Sequence, residues 1–301
     1  MDPLSPRRTD VLPFLQVDVF TARPLLGNPV AVVLDADGLG TEAMQRIARW
    51  TNLSETTFVL RPDAPGADYR LRIFTPGREL PFAGHPTIGS AHALLATGRV
   101  SPREGRLVQQ CEAGLVMLWA DPDGGGIAFE VPTARTAPIA REDSLAVATA
   151  LGLPQPGRFG FEAIDVGPVW LTAALPDAAT VERLRPDIAA IDALSRRLGA
   201  TGVTVHGEHP AGTRGPEGEA IQLAVRSFAP AVGANEDPVC GSGNACVALQ
   251  RRAANPAPAD YVASQGEALG RAGRIRVAYR GDTIRVGGES VVCVEGTLRI
   301  A

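Results

Sequence analysis

The sequence predicts a protein of two similar halves, each built from strands and helices, with a ligand-binding cleft between them. Three observations lead there. At 301 residues and 45% hydrophobic, the chain has material for a large core and about two domains. The order of strand-like and helix-like segments restarts after a stretch of Pro, Thr and Ala at residues 132–138. Two short strings 157 residues apart, opening at Pro81 and Pro238, each lead into a helix of small residues.

In the first half, Phe14 to Phe20 alternates like a strand and Val30 to Leu34 is rich in β-branched residues, with a Pro/Gly loop between. Thr41 to Trp50 carries Met44, Ile47 and Ala48 at helical spacing, with Thr41 as its cap. Thr57–Leu60 and Tyr69–Phe74 return to strand, and Ile88 to Ala96 reads as a buried helix. Strands follow near residues 107–110, 116–120 and 127–131. Past the boundary, Ser144–Leu151 and Asp187–Leu198 read as helices, Asp165–Leu175 as strand with a Gly-Pro turn inside, and Gly202–His206 as strand. Residues 207–220 form a polar loop, Ile221–Phe228 a strand, and Gly243–Ala253 a second small-residue helix. Three more strands close the chain near 275–279, 283–286 and 291–300.

Bulk properties exclude several function classes. Net charge is -4 with no block of like charge, and Arg is scattered, so no nucleic-acid surface is expected. Four cysteines in so long a chain do not make a disulfide framework, and the thiols read as reduced. Arg7 and Arg8 precede no apolar run, because Pro13 and Asp18 interrupt it. Neither a signal peptide nor a membrane span is expected, the first ten residues read as a loose tail, and the expected compartment is the cytoplasm.

The paired strings carry the chemistry. Pro81 to Ala91 and Pro238 to Ala248 both read Pro, apolar, small, Gly, polar, then small residues of a helix. Small residues let a backbone approach a ligand, and helix N-termini offer unpaired N–H groups to a carboxylate or phosphate. Equally, these are tight loops before well-packed helices. Neither string ends in the Gly-Lys-Ser/Thr of a phosphate-binding loop.

Around these features stand the candidate groups. Glu55 lies in an uncharged stretch between a helix and a strand, where burial would raise its pKa toward proton-transfer use; the alternative is a cap or a surface salt bridge. His85 sits at the first turn of the first small-residue helix, in a structural or an anion-orienting role. Asp237 and Ser242 hold the matching approach to the second, each also a plausible cap. Cys240, beside a helix N-terminus, is a thiol base or a packing residue. The pairing sets Ala83 opposite it, so a two-thiol racemase is not assembled. His92, His206 and His209 complete no metal triad, and neither a Gly-x-Ser-x-Gly elbow nor a dinucleotide fingerprint is present.

Taken together these strings resemble the phenazine-biosynthesis PhzF-like isomerases and epimerases. The resemblance rests on Val17 to Thr21, Gly27 to Val33, Asn52 to Phe58, Phe74 to Pro76, Glu79 to Pro86, Arg226 to Pro230, Glu236 to Ser242, and Gln265-Gly266 with Gly270-Arg271. It implies an α+β, diaminopimelate epimerase-like fold, each pseudo-symmetric half wrapping a mixed β-sheet around a central helix. The halves would span 12–131 with a returning C-terminal strand at about 288–301, and 132–287, with the active site in the cleft. It further implies a homodimer without metal or organic cofactor, acting on a small carboxylate such as trans-2,3-dihydro-3-hydroxyanthranilate. Glu55 would be the general acid/base, and His85 and Asp237 would orient substrate or relay protons. Ser242, with the N–H groups near Gly84 and Gly241, would hold the carboxylate. Where the family commonly has Ala-Thr-Gly-Ser after Asp-Pro, this chain has Val239-Cys240-Gly241-Ser242, closer to the thiol epimerases and proline racemases. A Cys240-based epimerase is therefore the second reading, and a catalytically silent binding relative the third.

Overall fold

The computed structural model describes residues 11–121 and 126–300, so the expected N-terminal tail lies outside the described residues. The chain begins with β1 (Val11–Val19), β2 (Asn28–Val33), α1 (Thr41–Thr51), β3 (Thr56–Leu60), β4 (Tyr69–Phe74) and the short β5 (Glu79–Leu80). It continues through α2 (Gly84–Ala96), β6 (Arg106–Cys111), β7 (Gly114–Ala120) and β8 (Ile127–Glu130). Next come β9 (Arg135–Pro138), α3 (Arg141–Ala150), β10 (Glu162–Asp165), β11 (Val169–Ala174), α4 (Ala178–Glu182), α5 (Ile188–Arg197) and β12 (Gly202–Glu208). The remainder is β13 (Leu223–Ala229), β14 (Ala234–Asp237), α6 (Gly241–Ala254), β15 (Tyr261–Gln265), β16 (Gly273–Arg280), β17 (Thr283–Gly288) and β18 (Ser290–Arg299).

Two compact units result. One takes the chain up to Phe129 and from Gly288 on; the other is Glu130–Gly287. In the first, β18 lies antiparallel to β1, β1 antiparallel to β2, β2 parallel to β3, and β3 antiparallel to β4. β4 then lies parallel to β6, β6 and β7 and then β7 and β8 are antiparallel, and β5 hangs from β4. The second unit repeats the pattern. β9, β10 and β11 are antiparallel neighbours, β11 is parallel to β12, and β12 is antiparallel to β13. β13 is parallel to β15, β15, β16 and β17 are antiparallel, and β14 hangs from β13. β18 thus does for the first unit what β9 does for the second.

Each unit has one helix buried almost all round, as a helix apolar or small on every face must be. In α2 every residue from Gly84 to Leu94 except His92 is buried. In α6 the buried run is Gly243–Ala248, with Gly241. Close packing explains the small residues: a Cβ on Gly89 would come within 2.4 Å of a Val30 methyl, and one on Gly243 within 2.7 Å of the Ser227 and Thr204 hydroxyls. The other helices flank the units. α1 packs Met44, Ile47 and Ala48 on Phe58 and Phe74, while in the second unit Val147, Val181 and Ile191 share a core with Phe161 and Phe228.

Several expected boundaries shift. Both buried helices begin earlier than their apolar runs, at Gly84 and Gly241; in α2, Pro86 falls in the first turn, where its missing N–H costs nothing. The cap of α1 is Gly40, and the Thr41 hydroxyl instead accepts a hydrogen bond from Arg72 at 2.9 Å. The stretch expected as a boundary holds β9, an exposed strand whose alternation Pro and Thr obscure. The strand expected over 165–175 is two, β10 and β11, around the Gly167-Pro168 turn. β15 and α4 have no counterpart in the periodicity; α4 is only five residues, started by Asp177 accepting the Thr180 N–H at 2.7 Å. Among the described residues no helix is long and apolar enough to cross a membrane.

Candidate active site

The first-unit candidates meet at the N-terminus of α2. Asn52, in the left-handed conformation at φ 53°, ends α1 and turns the chain toward β3. The Thr51 and Thr56 hydroxyls, 2.6 Å apart, close the loop that carries Glu55, and the Glu55 carbonyl accepts the Ala31 N–H of β2. His85 is the second residue of α2. Its Nε2 stands 3.3 Å from Glu55 Oε2, with side chains only 7% and 16% exposed. Its Nδ1 faces the buried amide of Asn28 at 3.4 Å. The distance to Glu55 would suit an ion pair, but burial lowers the His85 pKa to about 3, against a small opposing hydrogen bond to the Pro29 backbone. At neutral pH the contact is therefore a carboxyl group against a neutral imidazole. Gly84, one residue earlier, is buried, and the space a Cβ would need is filled by the Phe129 ring at 2.8 Å. Here the absence of a side chain serves packing.

The second-unit candidates surround the N-terminus of α6, which starts 157 residues after α2. Cys240 is the N-cap, and its Sγ accepts the Gly243 N–H at 3.2 Å. Neither Asp237 nor Ser242 caps the helix. The Asp237 carboxylate instead accepts the Val239 N–H at 3.1 Å, holding its own turn. Ser242, at the helix position matching His85, accepts a hydrogen bond from the Trp170 indole at 3.0 Å. Gly241 is buried between them.

Burial raises Asp237 to about 6, the Glu236 charge adding to it and hydrogen bonds from Cys240 and Val239 opposing it. Cys240 is raised well above the ordinary thiol range, first by burial and then by the Asp237 charge, which together outweigh the helix N-terminus. Cys240 is thus a protonated thiol at neutral pH, and Asp237 is poised to titrate near it. All four cysteines are free. Among the described residues no three His, Cys, Asp or Glu side chains gather where they could hold a metal ion. His206 pairs with Gln250 and His209 with Ser264.

Sequence reasoning missed Asn28, Trp170, Asn244 and Gln265. Asn28 sits in a Gly-Asn-Pro string that reads as loop yet opens β2. Trp170 follows a Gly-Pro turn, and its indole partner is far along the chain. Gln265 ends a strand that periodicity did not reveal.

A family profile described as phenazine biosynthesis-like protein matches residues 17–296. Among characterised sequences, the chain is 39% identical to antisense-enhancing sequence 1 of Schizosaccharomyces pombe, covering 94% of this chain and 97% of that one. It is 33% identical to the trans-2,3-dihydro-3-hydroxyanthranilate isomerase of Pseudomonas aeruginosa, covering 94% and 98%. Its fold matches the crystal structure of a PhzF-family phenazine biosynthesis protein from Bacillus anthracis, with a TM-score of 0.82 at 24% identity over 96% of this chain and 99% of that one.

Proposed function

From the premise that the chain belongs to the phenazine biosynthesis-like family of PhzF-type isomerases, we propose that it moves a proton between two carbons of a small carboxylate metabolite, with Glu55 as the general acid/base. The observation that carries this reading is the contact of Glu55 with neutral His85 at the α2 N-terminus.

The chemistry balances without a cofactor. The Glu55 carboxylate takes a proton from one carbon, the C–H electron pair moves into the adjoining π system, and the carboxylic acid returns the proton to a second carbon. A carboxyl group of low exposure performs both steps, and the adjacent imidazole holds it or passes a proton on. A placed acid/base of this kind contributes about 100- to 10,000-fold. Asp237, Ser242 and the N–H groups at Gly84 and Gly241 are proposed to orient the substrate. By likeness to its relative, the first substrate to offer is trans-2,3-dihydro-3-hydroxyanthranilate.

The second reading, Cys240 as base, meets a physical obstacle: burial and the Asp237 charge keep the thiol protonated. Substitution separates the two. Turnover lost with Glu55→Gln and kept with Cys240→Ser supports the isomerase; the reverse pattern overturns it. We further propose that the chain forms a homodimer, for which light scattering would give twice the chain mass of 31.5 kDa.

A further inference from the structure

The turn that carries Asp237 is cradled by the end of β15. Gln265, 1% exposed, donates from Nε2 to the Asp237 carbonyl at 3.1 Å and accepts at Oε1 from Asn244 at 2.9 Å. Asn244, fully buried in the first turn and a half of α6, also donates to the Cys240 carbonyl at 2.9 Å. Two buried amides therefore tie both ends of the Asp237–Cys240 turn to one strand. The neighbouring residues are shaped to it. Gly266 has φ +99°, and a Cβ there would lie 2.5 Å from the Pro238 carbonyl oxygen; one on Gly273 would lie 2.4 Å from Val239.

The first unit holds the counterpart. Gln109, fully buried on β6, donates to the Thr87 hydroxyl at 3.1 Å and accepts from the Tyr69 hydroxyl at 3.0 Å. Thr87 and Asn244 are both fourth residues of their helices. Each unit thus has a buried glutamine bonded to the same place on its central helix; Gln265 reaches on to the backbone of the turn before it, whereas Gln109 bonds the Thr87 and Tyr69 hydroxyls. A buried amide needs partners, so this donor has a fixed target.

We propose that Gln265 is a positioning residue: through the Asp237 carbonyl and Asn244 it fixes the Asp237–Cys240 turn in the geometry turnover needs. The inference rests on the isomerase reading above. Its test compares Gln265→Met with Gln109→Met, which removes an equally buried amide bonded to the same helix position. Gln265→Met is expected to lower kcat about 10- to 100-fold, the scale of a misplacement near 1 Å. KM should change less than kcat, and Gln109→Met should keep kcat near wild type. Equal kcat in wild type and Gln265→Met, or an equal loss in Gln109→Met, overturns the proposal. If Gln265→Met does not fold, Gln265→Asn keeps a buried amide but shortens its reach, and the same kcat loss is expected of it. A wild type inert toward every substrate offered would sink the isomerase reading but not this test. Alkylation of Cys240 by iodoacetamide, mapped by peptide mass, then decides. Faster labelling in the Gln265 variant than in wild type and Gln109→Met supports the proposal, and equal rates overturn it.

Discussion

At the scale of single residues, function and stability pull apart at Asp237. Its folded pKa, about 6, lies above the ordinary 3.8, so the buried carboxylate contributes stability only while protonated and costs stability as pH rises through 6. Asp237→Asn should therefore stabilise the protein at pH 7, by about 1–3 kcal/mol, while lowering turnover. Urea unfolding beside steady-state kinetics checks both. Two histidines have the opposite sign. His85 and His206 are depressed by burial to about 3 and about 4, so on acidification the unfolded chain takes their protons first. Their stabilisation is present above pH 6.5 and is lost as pH falls toward those values. Between pH 6 and 4 the unfolded state holds close to two histidine protons and the folded state about one, at Asp237. Stability from these groups should fall by about 1.4 kcal/mol per pH unit. Urea midpoints across that range should show the decline, and His206→Gln should flatten it. Residue identity gave Glu55, His85 and Asp237 as candidates, because a carboxylate in an uncharged string and a histidine at a helix start are visible as strings. That Asp237 and Ser242 cap nothing was not visible, since their partners, Val239 N–H and Trp170, are set by backbone turn and by a distant strand.

At the scale of elements, the two buried helices were legible from their small-residue composition, and their starts were not. Gly and Pro signal loop in any local reading, yet Pro86 and Gly84 lie inside the first turn. The close packing of the glycines was not legible: a Cβ on Gly84 would meet Phe129, and one on Gly243 would meet Ser227 and Thr204. Gly243→Ala should accordingly overpack α6 against β12 and β13 and cost about 1–3 kcal/mol, read as a lowered Tm. Gly160→Ala, at an exposed position where a Cβ meets nothing within 4 Å, should change Tm little. Short or exposed strands such as β9 and β14 escaped because their pairing, not their pattern, makes them strands.

At the scale of the whole molecule, the repeat was legible as a 157-residue echo, and the structure extends it to the complete order of parallel and antiparallel pairings in each unit. The part played by β18 is set by pairing over the length of the chain. It runs antiparallel to all of β1, from Val19 opposite Ser290 to Val11 opposite Arg299. Ending the chain at Gly288 should strip β1 of one of its two partners and abolish cooperative unfolding, measured by circular dichroism; a truncated chain that melts like the full one would contradict that role. The central claim is chemical: Glu55 carries the proton. It is tested most directly by NMR in D₂O, following solvent-deuterium entry into trans-2,3-dihydro-3-hydroxyanthranilate and a panel of cyclic and amino carboxylates with wild type, Glu55→Gln and Cys240→Ser. Exchange in wild type and Cys240→Ser that falls at least about 100-fold in Glu55→Gln is the predicted result. Exchange that persists in Glu55→Gln and disappears in Cys240→Ser would contradict it.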